Sequence, residues 1–139
     1  MNAHRITIAD DDADALFLLN TLLERMYPNS SIAMFSNAED ALSHILETGT
    51  DLLITNHGMG TMSGADMIRV LRQKKINIPI VMVSSSPSVR EEAADAGATV
   101  FVEKSLSTKL LEDQIKLLLP DYLQIPCLLK SAIVLITES

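Results

Sequence analysis

The stretch Asp51-Leu52-Leu53-Ile54-Thr55-Asn56-His57-Gly58-Met59-Gly60 is a short apolar run that stops abruptly at polar residues and two glycines. Its length and its sharp polar end predict a buried β-strand that delivers Asn56 to a loop. The other strands of the fold follow from comparing further apolar runs with this one.

Three further apolar runs end in polar side chains of a particular kind. The first runs into Asp10 and Asp11, the second into Ser84 and the third into Lys104. If these strands lie parallel to the strand before Asn56, their carboxyl ends meet at one edge of the sheet. In open α/β sheets, ligands bind at that edge.

Segments with helical periodicity separate the strands, and strand and helix alternate five times. Ser36 with Glu39, and Ser63 with Asp66, are capping-box patterns. The apolar face of the second helix comprises Ala38, Ala41, Leu42, Ile45 and Leu46. The predicted helices run from Asp11 or Asp12 to Tyr27, from Ser36 to Gly49, from Ser63 to Lys75, from Ser86 or Ser88 to Gly97, and from Leu106-Ser107 to about Leu119. This alternation predicts an α/β fold whose five-stranded parallel sheet carries helices on both faces.

The length of 139 residues predicts a single domain with one core. We expect the alternating unit to cover residues 1–119. Residues 120–139 form a C-terminal extension that could fold back, contact a second subunit or be disordered. There are no tandem repeats.

The charge balance limits the class of partner. Lys and Arg number 11 against 18 Asp and Glu, a formal net charge of −7, which argues against direct nucleic-acid binding. The single cysteine, Cys127, fits a reducing compartment. Met1 leads into the first strand without a signal-peptide pattern, and the apolar stretches fall short of the ~20 residues that span a bilayer, so we expect a cytoplasmic protein.

Adjacent carboxylates at Asp10 and Asp11 repel each other unless a cation or proton offsets them. Mg²⁺ is the natural partner, and it is commonly completed by a phosphate. Ser84 can then donate a hydrogen bond to a phosphoryl oxygen, and Lys104 can offset the charge on another. Phosphoryl transfer needs this kind of positioning and charge stabilisation.

With these motifs in order, the chain resembles the receiver domain of two-component response regulators over residues 4 to about 119. The motifs are Asp10-Asp11, residues 51–64, Ser84-Ser85 and residues 97–104. The resemblance implies a flavodoxin-like fold with strand order 2-1-3-4-5. It also implies a phosphorylation switch, or a place in a phosphorelay, served by a histidine kinase or phosphotransfer protein and read by a downstream protein partner.

The resemblance also implies roles for individual residues. Asp11 corresponds to the direct Mg²⁺ ligand, Asp10 to a ligand through water, and Gly58 to a backbone carbonyl ligand. The remaining positions are the switch hydroxyl at Ser84, the switch aromatic at Phe101 and the phosphate-binding lysine at Lys104. A receiver catalyses only its own phosphorylation and dephosphorylation, so we do not expect an enzyme.

Asn56 stands where the family has its phosphoaccepting aspartate. A carboxamide is neutral and its nitrogen is a poor nucleophile, so it cannot form the usual acyl phosphate. Its oxygen can still face Mg²⁺, although a site with one carboxylate fewer should bind the metal more weakly. The asparagine is either natural or an introduced change. Gly60 and Ser105 are lesser departures, because receivers usually carry proline at both positions.

Three functional hypotheses follow. The first is a stand-alone receiver that presents the fourth helix, fifth strand and fifth helix to a partner, with a homodimer possible. The second is a phosphorylation-independent pseudo-receiver binding module. The third is a phosphatase or phosphotransferase of the haloacid dehalogenase type, using Asp10 and Asp12. We expect His4 and His44 to be surface residues and His57 to be an exposed loop residue.

Overall fold

The computed structural model describes residues 3–104 and 108–123, and this part of the chain contains five parallel strands and five α-helices. In chain order the elements are β1 Arg5–Ala9, α1 Ala13–Met26, β2 Ser31–Phe35, α2 Ala38–Thr48, β3 Leu52–Thr55, α3 Gly64–Gln73, β4 Ile80–Ser84, a 3₁₀ turn Pro87–Val89, α4 Arg90–Ala96, β5 Val100–Glu103 and α5 Lys109–Leu118. The α/β alternation predicted from the sequence is confirmed.

The sheet has the order β2-β1-β3-β4-β5, and every neighbouring pair is parallel. This is the predicted flavodoxin-like arrangement. Ala9 at the end of β1 pairs with Phe35 and with Thr55, so β1, β2 and β3 finish level with one another. Ser84 at the end of β4 pairs with Glu103 of β5. The polar residues that follow these strands therefore emerge at one edge.

Two hydrophobic clusters cover the two faces of the sheet, because successive side chains of a strand point to opposite sides. Ile8 and Ile54 belong to the cluster that contains buried residues of α1 and α5. Ala9 and Leu53 belong to the cluster that contains those of α2, α3 and α4. Helix α4 contributes only two buried side chains, both alanines.

The helix caps confirm some sequence predictions and correct others. Asp12 caps α1, and Ser63 forms the predicted capping box with Asp66. The prediction of Ser36 as the cap of α2 was wrong by one residue. The next residue, Asn37, is the N-cap, and its side chain accepts a hydrogen bond from the Asp40 N–H. Asparagine is as favourable at this position as serine, so either residue could have begun the helix.

Glu39 reaches across to the loop before α3 rather than back to its own helix, and it accepts the N–H of Met62 at 3.2 Å. Leu46 was assigned to the buried face of α2 but is 44% exposed. Helix α3 ends at Gln73, before Lys75, whose φ of 61° is incompatible with continuing the helix.

His4 and His44 were predicted to be surface residues, but both are half-buried. His4 Nε2 is 2.6 Å from Asp121 Oδ1, and its ring meets Tyr27 edge-on. His44 packs against Phe35 with 5.1 Å between the ring centroids. His4 thereby ties the segment after α5 to the amino-terminal end of the sheet.

Three features named from the sequence fall outside the described residues: the start of the fifth helix at Leu106-Ser107, the departure from proline at Ser105, and the extension beyond Leu123 with Cys127. Within residues 3–104 and 108–123, none of the helices combines the length and the apolar character needed to span a membrane.

Candidate functional site

Four strand ends bring the predicted site residues to one edge of the sheet. Asp10 follows β1, Asn56 follows β3, Ser84 ends β4 and Lys104 follows β5. Backbone hydrogen bonds continue the ladder past the strands and fix these positions. Asn56 N donates to Ala9 O at 2.9 Å, and Lys104 N donates to Ser84 O at 2.8 Å.

Asp10 is the buried carboxylate of the acidic pair, and both of its oxygens accept hydrogen bonds. Oδ2 accepts from Lys104 Nζ at 2.9 Å, and Oδ1 accepts from the backbone N–H of Asp12 at 3.0 Å. Lys104 and Asp10 are 94 positions apart in the sequence. Lys104 therefore compensates the charge that burial of Asp10 would otherwise leave unpaired.

Asn56 is half-buried, and its side-chain nitrogen faces two oxygen atoms. Nδ2 lies 3.3 Å from Asp11 Oδ1 and 3.2 Å from the carbonyl oxygen of Gly58. Asp11 and Gly58 are both exposed, so the contacts lie at the mouth of the site. Two of the residues that the receiver resemblance assigned to a metal, Asp11 and Gly58, are thus bound to the carboxamide.

The loop after Asn56 is held against the start of α3 at very short range. Gly64 N donates to His57 O at 2.7 Å. A Cβ at Gly64 would lie 2.1 Å from Asn56 O and 3.2 Å from His57 Cα. Only glycine permits this approach, so Gly64 fixes the backbone on which Asn56 sits. Sequence reasoning used Gly64 as part of a motif and missed this packing role.

His57 is half-buried and faces α4, so the prediction of an exposed loop residue was wrong. Its Nε2 is 3.5 Å from Glu92 Oε2, and its Nδ1 is buried without a hydrogen-bond partner among the described residues. Glu92 also contacts Arg69 of α3 at 3.5 Å. Because α4 carries Glu92, this contact joins the loop beside Asn56 to α4.

Ser84 and Phe101 occupy neighbouring strands. Ser84 is 6% exposed, and its Oγ accepts the N–H of Ser86 at 3.2 Å, which starts the turn into α4. Phe101 is half-buried against the cluster on the α3 and α4 side, and the guanidinium of Arg90 lies 4.7 Å from its ring centroid. Arg90 covers the ring by a cation–π contact.

The oxygen atoms at this edge do not form an open cation site in the arrangement described. Asp10 Oδ2 faces Lys104 Nζ, while Asp11 Oδ1 and Gly58 O face Asn56 Nδ2. As placed, these residues do not fit Mg²⁺.

The family is shown by comparison with known proteins. The model of the response regulator receiver domain matches residues 6–116, and the chain belongs to this family. Receiver domains are signalling proteins rather than enzymes, so the chain falls outside the haloacid dehalogenase class.

Curated relatives include the heme response regulator HssR of Staphylococcus saprophyticus, 30% identical over 83% of this chain and 51% of that protein. ResD, a transcriptional regulatory protein of Bacillus subtilis, is 29% identical over 85% of this chain and 49% of its own length. This chain thus spans about half the length of these relatives. The chemotaxis protein CheY of Pseudomonas aeruginosa is 26% identical over 81% of this chain and 93% of its own length.

Solved structures show the same fold. Response regulator TrrA of Thermotoga maritima, in complex with Mg²⁺ and BeF, is 27% identical with a TM-score of 0.76, covering 84% of this chain and 99% of that one. The chemotaxis response regulator CheY4 of Vibrio cholerae is 19% identical with a TM-score of 0.75, covering 85% and 100%. Mg²⁺ binding is thus found in the family.

Proposed function

We propose that this chain is a two-component receiver module whose phosphoryl acceptance at the usual position is blocked by Asn56. The observation that supports the proposal most directly is the setting of Asn56. It stands at the edge where Asp10, Ser84 and Lys104 meet, and its neutral amide is bound to Asp11 and Gly58. A carboxamide in this place offers no carboxylate oxygen to attack a phosphorus atom.

The roles assigned to the other residues belong to the same proposal. Ser84 is the switch hydroxyl, Phe101 is the switch aromatic and Lys104 is the phosphate-binding lysine. The metal positions are Asp10, Asp11, Asn56 and Gly58. Mg²⁺ binds them weakly, because the Asn56 amide must first turn away from Asp11 and Gly58. The partners are a histidine kinase or phosphotransfer protein and a downstream protein, in the cytoplasm.

The surface of α4, β5 and α5 is the proposed contact surface for the downstream partner. Leu110 and Leu117 of α5 are 60% and 74% exposed, and their seven-residue spacing puts them on one side of the helix. Exposed leucines at this spacing suit a protein partner or a second copy of the chain. The division into a receiver of residues 1–119 and an extension of residues 120–139 remains a prediction.

Intact mass after incubation with Mg²⁺ and a small phosphodonor tests the blocked acceptor. The parent chain is compared with Asn56→Asp, and Asn20→Asp on α1 is the matched control, because it makes the same chemical change away from the site. We expect a labile phosphoryl mass on the Asn56→Asp variant alone. A phosphoryl group on the parent chain would overturn the proposal.

The second candidate is a phosphorylation-independent binding module. The hydrogen bonds of the Asn56 amide favour it, because they connect Asn56 to Asp11 and Gly58 without any phosphoryl group or metal. If neither the parent nor the Asn56→Asp variant gains a phosphoryl group, this second function replaces the first.

A further inference from the structure

The orientation of the Asn56 amide follows from the chemistry of its neighbours. Asp11 Oδ1 and Gly58 O are both hydrogen-bond acceptors, and both lie within 3.3 Å of Nδ2. Were the amide turned over, three oxygen lone pairs would face one another without a proton between them. The NH₂ group must therefore point at these two oxygens, and its two N–H bonds suffice for both.

This NH₂ group lies between two of the groups that a receiver would offer to a cation, the Asp11 carboxylate and the Gly58 carbonyl. We propose that the Asn56 carboxamide takes the place of a divalent cation in this pocket and assembles the site without metal. Lys104 donates to Asp10, and Asn56 donates to Asp11 and Gly58. Because each of these three residues already accepts a hydrogen bond, none of them needs Mg²⁺. The inference rests on the proposed function and extends it to the metal dependence of the site.

Mg²⁺ must compete with the hydrogen bonds of the Asn56 amide. Before the ion can bind, the amide must turn and give up its hydrogen bonds to Asp11 and Gly58. The bond to Asp11 is assisted by the carboxylate charge, although its exposed position weakens it. An aspartate at position 56 has no such bonds to lose and adds a negative charge. We therefore expect Mg²⁺ to bind the Asn56→Asp variant at least about tenfold more tightly.

A second consequence concerns stability without metal. In the Asn56→Asp variant a carboxylate oxygen would lie where Nδ2 lies now, facing Asp11 Oδ1 and Gly58 O. This repulsion destabilises the variant in a chelator, and Mg²⁺ should restore its stability. The parent chain should unfold at the same temperature with and without Mg²⁺.

Calorimetric Mg²⁺ titration and thermal unfolding test both consequences. The proteins are the parent, Asn56→Asp and the control Asn20→Asp, whose amide also donates to a carboxylate, Glu24 Oε1 at 3.0 Å, but on the exposed side of α1. We expect Mg²⁺ to raise the melting temperature of Asn56→Asp alone. Equal Mg²⁺ affinity of the parent and Asn56→Asp, or an Asn56→Asp variant as stable in chelator as the parent, would overturn the inference.

The side-chain NH₂ signals of Asn56 in a ¹⁵N-labelled sample give an independent readout. They should shift in an Asp11→Asn variant and stay unchanged when Mg²⁺ is added to the parent. A large Mg²⁺-induced shift in the parent would contradict the inference. These readouts do not depend on phosphorylation, so the inference and the blocked acceptor can fail separately.

Discussion

Replacement of Gly64 by alanine should destabilise the protein through a single atomic overlap. The added Cβ would lie 2.1 Å from Asn56 O, whereas a carbon and an oxygen in ordinary contact are about 3.3 Å apart. The overlap of about 1.2 Å involves backbone on both sides, so no side chain can rotate away. Relief requires the loop to move, and that would weaken the hydrogen bond from Gly64 N to His57 O.

The expected cost is about 3 kcal/mol, the upper end of the range for overpacking a close-packed site. For a domain of this size, that corresponds to a fall in melting temperature of about 12 °C. Thermal and urea unfolding followed by circular dichroism would measure it. Because the loop carries Asn56, the side-chain NH₂ signals of that residue should also move.

Two other glycines of the same loop provide matched controls. A Cβ at Gly58 meets nothing within 4 Å, so Gly58→Ala should change stability by less than about 0.5 kcal/mol. Gly60 also faces open space but has a φ of +75°, so Gly60→Ala should cost about 1 kcal/mol from backbone strain alone. Equal stability of Gly64→Ala and Gly58→Ala would refute the argument from close approach.

Two further predictions concern stability away from the site. The Tyr27 hydroxyl donates to Leu119 O at 2.6 Å, so Tyr27→Phe should lower the free energy of unfolding by about 1 kcal/mol in urea titrations; an unchanged midpoint would contradict this. The Ser63 backbone N–H and side chain hold the pKa of Asp66 below its usual 3.8. A carboxyl group whose pKa is lowered in the folded state stabilises the protein at neutral pH, and this stabilisation is lost as the pH falls through the folded-state pKa. Asp66→Asn should therefore lose less stability than the parent between about pH 5 and about pH 2.

The fold could be predicted from the sequence because its signals are local and agree with one another. Apolar runs such as residues 80–83 are flanked by turn residues, and the helices between them begin at capping patterns such as that of Ser63. The strand order came from the receiver resemblance rather than from periodicity, which does not specify neighbours in a sheet. Helix starts were less certain where two capping residues are adjacent, as at Ser36 and Asn37.

The polar residues of the site could be predicted because each follows an apolar strand, and parallel strands bring their ends together. The contacts among them could not. Nothing local in the sequence shows that Lys104 reaches Asp10, or that His57 turns toward Glu92 rather than toward solvent. Such contacts depend on how α4 and the loops pack in three dimensions.

If the proposed function holds, the pairing of charges gives one physical reason for both a blocked phosphoryl acceptance and a weak need for metal in this pocket. With an aspartate at position 56, three carboxylates would face the single ammonium of Lys104, and the two remaining negative charges would be matched by one divalent cation. With Asn56, the ammonium neutralises Asp10 and only Asp11 remains charged. Asp11 is exposed, so water and one amide N–H are enough to stabilise it. On this proposal, the carboxamide removes the nucleophile and, by the same change, removes the need for the ion that would assist it. For this reason Asn56→Asp should restore phosphoryl acceptance and Mg²⁺ dependence together, whereas a change that restores only one of them would show that the two are controlled by different parts of the pocket.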